Sequence, residues 1–298
     1  MQAISSSLAV NMTDIVNGKK ISEEILNSLS KKIKQKRLKL FLVGVLVGDD
    51  PASIAFIEKK EEACRRIGIK FKTLKLPKSI SQESLKERVK AVSGEKDVNG
   101  VIVQLPLPPK IKTWEILDAV PWQKDVDVLS GVSVGKFYNG GLPITPPTVS
   151  SIKKIFDKYK IKIKGKNVVI IGSGRLIGRP LAVWLLKEDA TVTIVNRFTK
   201  NISFFSKQAD ILIAGAGSPN LIKGNMLKRG SIVIDAGYSL VRGKIVGDIN
   251  LKSVLGKSKL IAPSPGGIGP ITVACLLENL VVLNSQKSKI GGGRVLKI

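Results

Sequence analysis

The stretch from residue 165 to residue 180 constrains the fold of this chain more than any other. Val168 to Ile171 is an unbroken β-branched apolar run, which is typical of a strand buried on both faces. Gly172, Gly174 and Gly178 follow it, ahead of a helix-like pattern. Such a turn favours phosphate binding, because glycines let the backbone approach an anion that the helix dipole attracts. The spacing is GxGxxxG rather than GxGxxG, so the pattern alone also fits a turn that merely ends a strand.

Strand-like and helix-like segments alternate through both halves of the chain, which predicts an α/β fold with parallel sheets. The segment 121–147 is loop-rich and contains four of the prolines, and the boundary between the two halves is expected near 148–165. Strands are predicted at 40–47, 70–76, 98–105, 167–171, 191–195, 209–214 and 231–235, and near residue 261. Helices are predicted at 21–36, 53–67, 81–92, 114–120, 148–160, 180–188 and 273–283.

A chain of 298 residues with 43% hydrophobic residues is long enough for two domains, each with its own core. We expect an N-terminal α/β domain at 1–148, in which 1–13 is a disordered leader without signal-peptide character. A Rossmann-type dinucleotide-binding domain is expected at 149–272. Residues 273–298 are expected to form a helix that packs back on the N-terminal domain, followed by a basic tail. No apolar run approaches the ~20 residues of a membrane span, so no membrane partner is expected.

The absence of histidine restricts the possible chemistry. It excludes His-based catalytic triads, His–zinc sites and histidine as a general acid or base. Proton transfer is left to Lys, Asp, Glu, Tyr or Cys. Cys64 and Cys275 lack paired spacing, which argues for a reducing compartment and against a disulfide framework or a Cys–zinc site. We therefore expect no metal.

The charge is strongly positive, with 49 Lys and Arg against 23 Asp and Glu, a net +26. Nucleic-acid binding is one interpretation, and a lysine-rich proteome is another. The lysines are spread along the chain and aromatic residues make up only 5%, which offers few platforms for base stacking. Nucleic acid is therefore disfavoured as the primary partner, and an anionic small substrate fits the charge equally well.

The residues after the predicted strand 191–195 bear on cofactor choice. In a Rossmann unit this position contacts the ribose, and a carboxylate there selects NAD. Here the strand is followed by Asn196 and Arg197. A guanidinium can hold a phosphate through paired charge-assisted hydrogen bonds, which favours NADP over NAD. Arg197 would otherwise be one more solvated charge, and Arg175 in the glycine loop can add positive field near a pyrophosphate.

The first half contains a separate set of polar residues. Phe56 and Lys60 are four residues apart and share one face of a predicted helix. Gln104 ends a buried strand, where α/β sheets present ligand contacts, and Asp127 closes the loop sequence Lys-Asp-Val-Asp. Each also has an ordinary explanation as a solvated helix face, a strand end or a turn former. Spacing alone does not give them a common function.

Longer motifs resemble those of the bifunctional methylenetetrahydrofolate dehydrogenase/cyclohydrolase family. Residues 52–64 resemble its Ala-Ser-x-x-Tyr-Val-x-x-Lys…Ala-Cys motif, and 100–108 its Gly-x-x-Val-Gln-Leu-Pro-Leu-Pro signature. Residues 265–272, Pro-Gly-Gly-Ile-Gly-Pro-Ile-Thr, are similar to another family block. The resemblance covers about residues 14–283 and also includes, in order, 124–127, 145–146, the glycine loop, 235–237 and 247–248.

The resemblance implies an NADP-dependent oxidation of 5,10-methylenetetrahydrofolate and hydrolysis of the methenyl product to 10-formyltetrahydrofolate. It implies a folate cleft between the two domains, a homodimer, a cytoplasmic location and a polyglutamylated folate substrate. The implied catalytic residues are Lys60 for hydrolysis, Gln104 as its assistant and Asp127 as the pterin anchor. The implied substrate-binding residues are Phe56, Pro265, Gly266, Gly267 and Thr272. The expected cofactor-binding residues are Gly172, Ser173, Gly174, Arg175, Ile177, Gly178, Asn196, Arg197 and Ala216.

Several positions depart from the family pattern. The usual tyrosine is Phe56, which keeps the ring but loses a hydroxyl able to bond Lys60, and the usual glycine after Asp127 is Val128. The usual Arg-Ser of the glycine turn is replaced by Ser173-Gly174, and the usual His-Ser after the second strand by Asn196-Arg197. Two alternatives therefore stay open: a monofunctional dehydrogenase with an impaired cyclohydrolase, and a non-catalytic basic protein that binds nucleotides or nucleic acid.

Overall fold

A computed structural model of the chain describes residues 13–285, which form two compact units. The six-stranded unit contains residues 13–18 and 152–269, and the three-stranded unit contains residues 19–151 and 270–285. The predicted leader up to residue 12 and the predicted basic tail after residue 285 lie outside the described residues.

Helices and strands alternate along the chain, as the sequence pattern predicts. The helices are α1 (Gly18–Gln35), α2 (Pro51–Ile67), α3 (Gln82–Gly94), α4 (Thr113–Leu117), α5 (Gly131–Asn139), α6 (Pro147–Lys158), α7 (Gly178–Lys187), α8 (Ile202–Ser206), α9 (Leu251–Val254) and α10 (Ile268–Ser285). The strands are β1 (Asp14–Ile15), β2 (Phe41–Val47), β3 (Lys70–Leu76), β4 (Gly100–Val103), β5 (Asn167–Ile171), β6 (Thr191–Val195), β7 (Ile211–Ala214), β8 (Ile232–Asp235), β9 (Ser239–Val241), β10 (Lys244–Val246) and β11 (Leu260–Ala262).

The three-stranded unit is built on a parallel sheet with strand order β3-β2-β4. Successive residues of a strand point to opposite faces, so β2 contributes Leu42 to one core cluster and Val43 and Val45 to another. The Leu42 cluster also contains residues of α1, α2 and α10, whereas the Val43 cluster contains residues of α3 and α4. Burial on both faces explains why β2 reads as a continuous apolar run.

Helix α10 is the one helix of the described residues that is long and apolar enough to cross a membrane by length and composition. Its 18 residues exceed the predicted helix 273–283 at both ends. From Pro270 onward it belongs to the three-stranded unit, where Leu277 and Leu280 are fully buried in the Leu42 cluster. Asn279 donates hydrogen bonds to the carbonyls of Val126 and Thr145 at 2.9 and 2.8 Å. These contacts are those of a core helix.

The six-stranded unit is a parallel sheet with strand order β1-β11-β8-β7-β5-β6. If β5, β6, β7, β8 and β11 are numbered 1 to 5, they follow the doubly wound order 2-1-3-4-5. The order of strands along the chain reverses its direction across the sheet between β5 and β7. The buried core includes Val169, Leu212 and Val233 of three neighbouring strands. In this topology ligands bind beyond the carboxyl ends of the strands at the reversal.

The structure differs from the sequence prediction in several elements. Helix α5 lies within residues 121–147, which were predicted as loop, and it begins after the Ser130 cap. The short helix α8 and the antiparallel β9–β10 hairpin were not predicted. Helix α1 begins at Gly18, three residues before the predicted start at residue 21. Strand β1 pairs with β11 and belongs to the six-stranded unit, although residues before 149 were assigned to the first domain.

Candidate active site

Helix α2 carries the first two predicted site residues, Phe56 and Lys60. The helix begins after Asp50, whose carboxylate accepts the Ser53 N–H at 2.8 Å, and it ends at Gly68 in the left-handed conformation with φ 79°. Phe56 and Lys60 lie one turn apart and both are half-buried. The predicted common face of ring and amine is therefore present on this helix.

Gln104 meets Lys60 directly. It follows β4, where its backbone N–H donates to the Val45 carbonyl at 2.9 Å. Its side-chain Nε2 donates to the Leu105 carbonyl at 2.8 Å, which turns Oε1 toward Lys60. Lys60 Nζ donates to that Oε1 at 2.8 Å. The Gln104 side chain is thus held at one end by backbone and holds the amine with the other.

The loop between α4 and α5 positions Asp127. The neighbouring Asp125 carboxylate accepts the N–H groups of Leu129 and Ser130, the latter at 2.8 Å, and so fixes the loop from within. Asp127 is half-buried, and its carboxylate accepts no hydrogen bond from any residue between 13 and 285. Its acceptor capacity is therefore available to a ligand.

Lys60 and Asp127 share one electrostatic environment. Burial lowers the pKa of Lys60, while the Asp127 carboxylate raises it. Burial raises the pKa of Asp127, and the positive charge of Lys60 opposes that rise. Cys64, one turn beyond Lys60 on α2, has its pKa raised to about 12 by burial and is therefore not a nucleophile at neutral pH.

Val128 stands next to Asp127 in an unusual backbone conformation. Its φ is +59° and its side chain is 2% exposed. The left-handed region suits glycine, and for a β-branched residue it is a genuine outlier. The departure from glycine noted in the sequence therefore falls on a strained position beside the candidate pterin anchor.

The glycine loop of the six-stranded unit packs closely against neighbouring backbone. A Cβ on Gly172, whose φ is +107°, would overlap the Gly215 carbonyl oxygen, and a Cβ on Gly178 would overlap the Gly172 carbonyl oxygen. Gly174 is different, because a Cβ there would meet no atom within 4 Å. Gly172 and Gly178 bring backbone segments together, and Gly174 leaves open space at an exposed position.

Other loop residues complete this cradle. Ile177 precedes α7 without a side-chain cap on the first helical N–H groups, and its side chain packs where a Cβ on Gly215 would stand. Arg175 is exposed, and Ser173 offers its carbonyl to Arg179 Nε at 3.1 Å. The Arg179 N–H donates to the Gly174 carbonyl at 3.1 Å and Pro180 has no N–H, so the Gly178 N–H and the Arg175 guanidinium are the candidate donors to a pyrophosphate here.

Ala216 lies in a second loop, which contacts the glycine loop through Gly215. Its backbone N–H donates to the Asp248 carboxylate, which also accepts from Gly217 and Ser218. Asp248 is fully buried and its own N–H is held by the Asp235 carboxylate at 3.0 Å. The sequence prediction gave Asp235 and Asp248 no role. The glycine-rich turn 215–217 and the later Gly247-Asp248 pair could have indicated a carboxylate that holds backbone N–H groups.

The residues after β6 are arranged around Asn196. Its side-chain oxygen accepts the Phe198 N–H at 3.0 Å, and its backbone N–H donates to Thr199. The Arg197 guanidinium lies 4.8 Å from the centre of the Phe198 ring, and Phe198 is 77% exposed. An exposed guanidinium stacked on a ring has its donors available to an anion.

The Pro-Gly-Gly block is divided between the two units, so its members are described separately. Gly266, with φ +96°, accepts the Gly18 N–H through its carbonyl at 3.0 Å. A Cβ on Gly267 would overlap the Pro263 carbonyl oxygen, so this glycine is required by backbone packing. In the three-stranded unit, Thr272 on α10 donates to the Ser151 hydroxyl at 3.2 Å. Pro265 has no contact that bears on its predicted role.

Residues 13–285 contain no group of three or more Cys, Asp or Glu side chains placed to hold a metal ion. Cys64 and Cys275 are both buried and form no disulfide with each other.

Two family models match the chain. The tetrahydrofolate dehydrogenase/cyclohydrolase catalytic domain matches residues 16–127, and the NAD(P)-binding domain of the same family matches residues 146–288. The bifunctional protein FolD of Hydrogenobaculum sp. is 40% identical over 276 residues, which are 92% of this chain and 99% of that protein.

Solved structures agree with the family models. The crystal structure of the bifunctional enzyme FolD, a methylenetetrahydrofolate dehydrogenase/cyclohydrolase from Campylobacter jejuni, has a TM-score of 0.86 at 38% identity and covers 93% of this chain and 99% of that chain. The Trypanosoma brucei N5,N10-methylenetetrahydrofolate dehydrogenase-cyclohydrolase, complexed with NADP and an inhibitor, has a TM-score of 0.89 at 30% identity with the same coverages.

These matches confirm the predicted family, the α/β fold class with a catalytic and a nucleotide-binding domain, and the predicted pair of activities. They give no support to a monofunctional dehydrogenase or to a non-catalytic binding protein. The folate cleft between the domains stays a prediction. The chain is an enzyme that belongs to the tetrahydrofolate dehydrogenase/cyclohydrolase family.

Proposed function

We propose that this enzyme oxidises 5,10-methylenetetrahydrofolate with NADP and hydrolyses the methenyl product to 10-formyltetrahydrofolate at one site that contains Lys60, Gln104 and Asp127. The observation that carries the proposal is the 2.8 Å hydrogen bond from Lys60 Nζ to Gln104 Oε1 beside an Asp127 carboxylate that has no hydrogen-bond donor in the described residues. Folate chemistry belongs to the three-stranded unit in this proposal, and the nucleotide to the six-stranded unit.

Lys60 is the proposed base for hydrolysis. The methenyl intermediate is a cation, and attack by water requires that the water lose a proton. Burial lowers the pKa of Lys60, which favours the neutral amine that can accept this proton. One of its N–H bonds points at Gln104, which fixes the amine while its lone pair accepts the proton.

Asp127 is the proposed pterin anchor and Phe56 the stacking residue. A carboxylate with two free oxygens accepts the two parallel N–H donors of an aminopyrimidinone edge. Phe56 lies one turn before Lys60, so a folate ring stacked on it is within reach of the amine. We also assign substrate contacts to Pro265, Gly266, Gly267 and Thr272 on the family motif.

The residues present fit NADP. We assign the pyrophosphate to Gly172, Ser173, Gly174, Arg175, Ile177, Gly178 and Ala216, and the 2′-phosphate to Asn196 and Arg197. The open space at Gly174 and the uncapped start of α7 support the first assignment, and the exposed Arg197 supports the second. The chemistry supplied by bound NADP is acceptance of a hydride from the methylene carbon. The chain itself has only to orient the substrate for that transfer.

The remaining assignments follow from the family alone. We propose a cytoplasmic homodimer that acts on polyglutamylated folates and supplies one-carbon units to purine and amino-acid biosynthesis. The net charge of +26 suits a polyglutamate tail. The domain limits 1–148, 149–272 and 273–298 remain our working assignment for the full chain.

The test follows both activities in one sample. Purified enzyme with methylenetetrahydrofolate and NADP is expected to produce NADPH and 10-formyltetrahydrofolate, with methenyltetrahydrofolate consumed faster than in buffer. Lys60→Met is expected to abolish the excess hydrolysis and keep NADPH formation, and the exposed Lys72→Met serves as control. Methenyltetrahydrofolate that decays only at the buffer rate in the unsubstituted enzyme would support the monofunctional alternative, in which Phe56 lacks the hydroxyl that tunes Lys60.

A further inference from the structure

A cavity of about 370 Å³ lies in the six-stranded unit at the edge opposite to the glycine loop. Its wall includes the first residues of β1, β7, β8 and β11 and the residue before β5, all at the amino end of the parallel sheet. The glycine loop follows the carboxyl end of β5. The cavity is therefore a separate site within the same unit, and its volume is at the lower end of that of small-molecule pockets.

Positive charge dominates this cavity. Two carboxylates, Asp14 and Asp210, also line it. Lys228 forms an ion pair with Asp210 at 2.6 Å. The other five basic side chains form no ion pair with any residue in 13–285. The six basic residues of the wall are Lys160, Lys162, Lys166, Lys228, Arg229 and Lys259.

Two further features of this cavity are unusual for a surface depression lined only by solvated lysines. Ser231 lines the cavity, and its buried hydroxyl has no hydrogen-bond partner in the described residues. An unused polar group at a buried position costs free energy unless a ligand or water satisfies it. Lys160 has φ +53°, a conformation that costs less for glycine, yet it places a cation at the rim.

We propose that this cavity is a binding site for a small anion that carries at least two linked phosphate groups. Five cations that form no ion pair around so small a volume favour a compact ligand with several negative charges. A diphosphate concentrates its negative charges on two adjacent groups. A peptide-like chain of carboxylates is less compact, because each of its residues carries a single negative charge. The half-buried Tyr159 and Ile161 beside the cations also admit an organic group on the phosphate.

The test measures binding of inorganic pyrophosphate and tripolyphosphate by isothermal titration calorimetry, with the enzyme first saturated with NADP. Saturation with NADP blocks the glycine loop, so any remaining binding belongs elsewhere. We expect one saturable site, with tripolyphosphate bound more tightly than pyrophosphate.

The double variant Lys162→Gln/Lys166→Gln is expected to weaken pyrophosphate binding by about tenfold or more, with unchanged dehydrogenase activity. The matched control, Lys207→Gln/Lys244→Gln, removes the same charge from exposed positions of the same unit outside the cavity. Equal weakening of pyrophosphate binding by both double variants would show a general attraction of the anion to the positively charged surface, and this would overturn the proposed site. Binding that disappears after NADP saturation would place the anion in the glycine loop, and binding of duplex DNA but not of pyrophosphate would point to nucleic acid; either result overturns the proposal.

Discussion

Asp127 and the burial of Lys60 act on the Lys60 ammonium in opposite directions. Burial lowers the pKa of this lysine, and the Asp127 carboxylate raises it. Removal of the carboxylate therefore takes away the larger of the two contributions that oppose burial and lowers the pKa of Lys60 further.

The first prediction is a shift in the pH profile of hydrolysis. The rate above the buffer rate is expected to rise with pH as Lys60 loses its proton. Asp127→Asn is expected to move this rise to lower pH, while KM for the folate increases because the pterin anchor is lost. The measurement is kcat for methenyltetrahydrofolate hydrolysis as a function of pH, with buffer rates subtracted. A rise that moves to higher pH would show that Lys60 is not the titrating base.

The second prediction concerns the strain at Val128. Glycine usually destabilises a folded chain by about 0.5–1 kcal/mol relative to alanine. At Val128 the order is expected to reverse, because both substitutions lose the buried side chain and only glycine relieves φ +59°. Val128→Gly is expected to be more stable than Val128→Ala by about 1 kcal/mol in urea unfolding.

Val126, two residues earlier, provides the control for that comparison. It is fully buried, but it is not among the residues with positive φ. There the ordinary order, with alanine more stable than glycine, is expected. The same order at both positions would argue against backbone strain at Val128.

The third prediction tests the role of Asp248. Asp248→Asn replaces one acceptor oxygen with an amide donor that faces the N–H groups of the 216–218 loop. A loss of about 1–3 kcal/mol of unfolding free energy is expected, together with weaker NADP binding because the loop beside the glycine turn is released. Chemical denaturation and fluorescence titration measure the two effects.

Asp189→Asn, at an exposed ion pair with Lys164, is the control, and its unfolding free energy is expected to fall by less than about 1 kcal/mol. Unchanged NADP affinity in Asp248→Asn would separate this network from cofactor binding.

The fourth prediction concerns cofactor selectivity. Arg197→Ser is expected to lower kcat/KM for NADP by about 10- to 100-fold, as the loss of a charge-assisted contact predicts, with little change for NAD. The exposed Lys200→Ser, three residues further on, is the matched control. An equal loss for both cofactors would assign Arg197 to loop structure and not to the 2′-phosphate.

The fifth prediction is a pH dependence of stability that originates at Asp235. Burial raises the pKa of this carboxyl from 3.8 to about 6, against the hydrogen bonds that it accepts from Gly237, Asp248 and Ile249. The folded state therefore holds the proton more tightly than the unfolded state. The resulting stabilisation is complete below about pH 4 and is lost as the pH rises through about 6, which amounts to about 3 kcal/mol.

Asp235→Asn, which cannot titrate, isolates this contribution. The difference in unfolding free energy, enzyme minus variant, is expected to decrease between pH 4 and about pH 7 when measured in urea. A difference that increases with pH would mean that the hydrogen bonds to the carboxylate outweigh its burial.

Strands β2 and β5 were predictable because burial on both faces leaves a continuous apolar run. Helix α5 was not, because Gly131, Gly135 and two valines are poor helix formers, and the helix depends on the Ser130 cap and on its surroundings. Strand β1 is two residues long and pairs with a strand about 245 positions away, which no local pattern encodes.

The site shows the same division. Phe56 and Lys60 could be paired from helical spacing, because four residues make one turn. The contact between Lys60 and Gln104 spans 44 positions and depends on the sheet register. Asp248 was missed for a similar reason, because its three partners are backbone N–H groups about 30 residues earlier in the chain.

The first residues of the described chain belong to the six-stranded unit and the last to the three-stranded unit, and this has a consequence for synthesis on the ribosome. The core of the three-stranded unit includes Leu277 and Leu280, although most of that unit is translated first. A nascent chain that has completed residues 19–151 must therefore wait for the entire nucleotide-binding segment before its own interior can close. During that interval the apolar face later covered by α10 is exposed, and a single cut of the gene between the units cannot yield two self-sufficient halves.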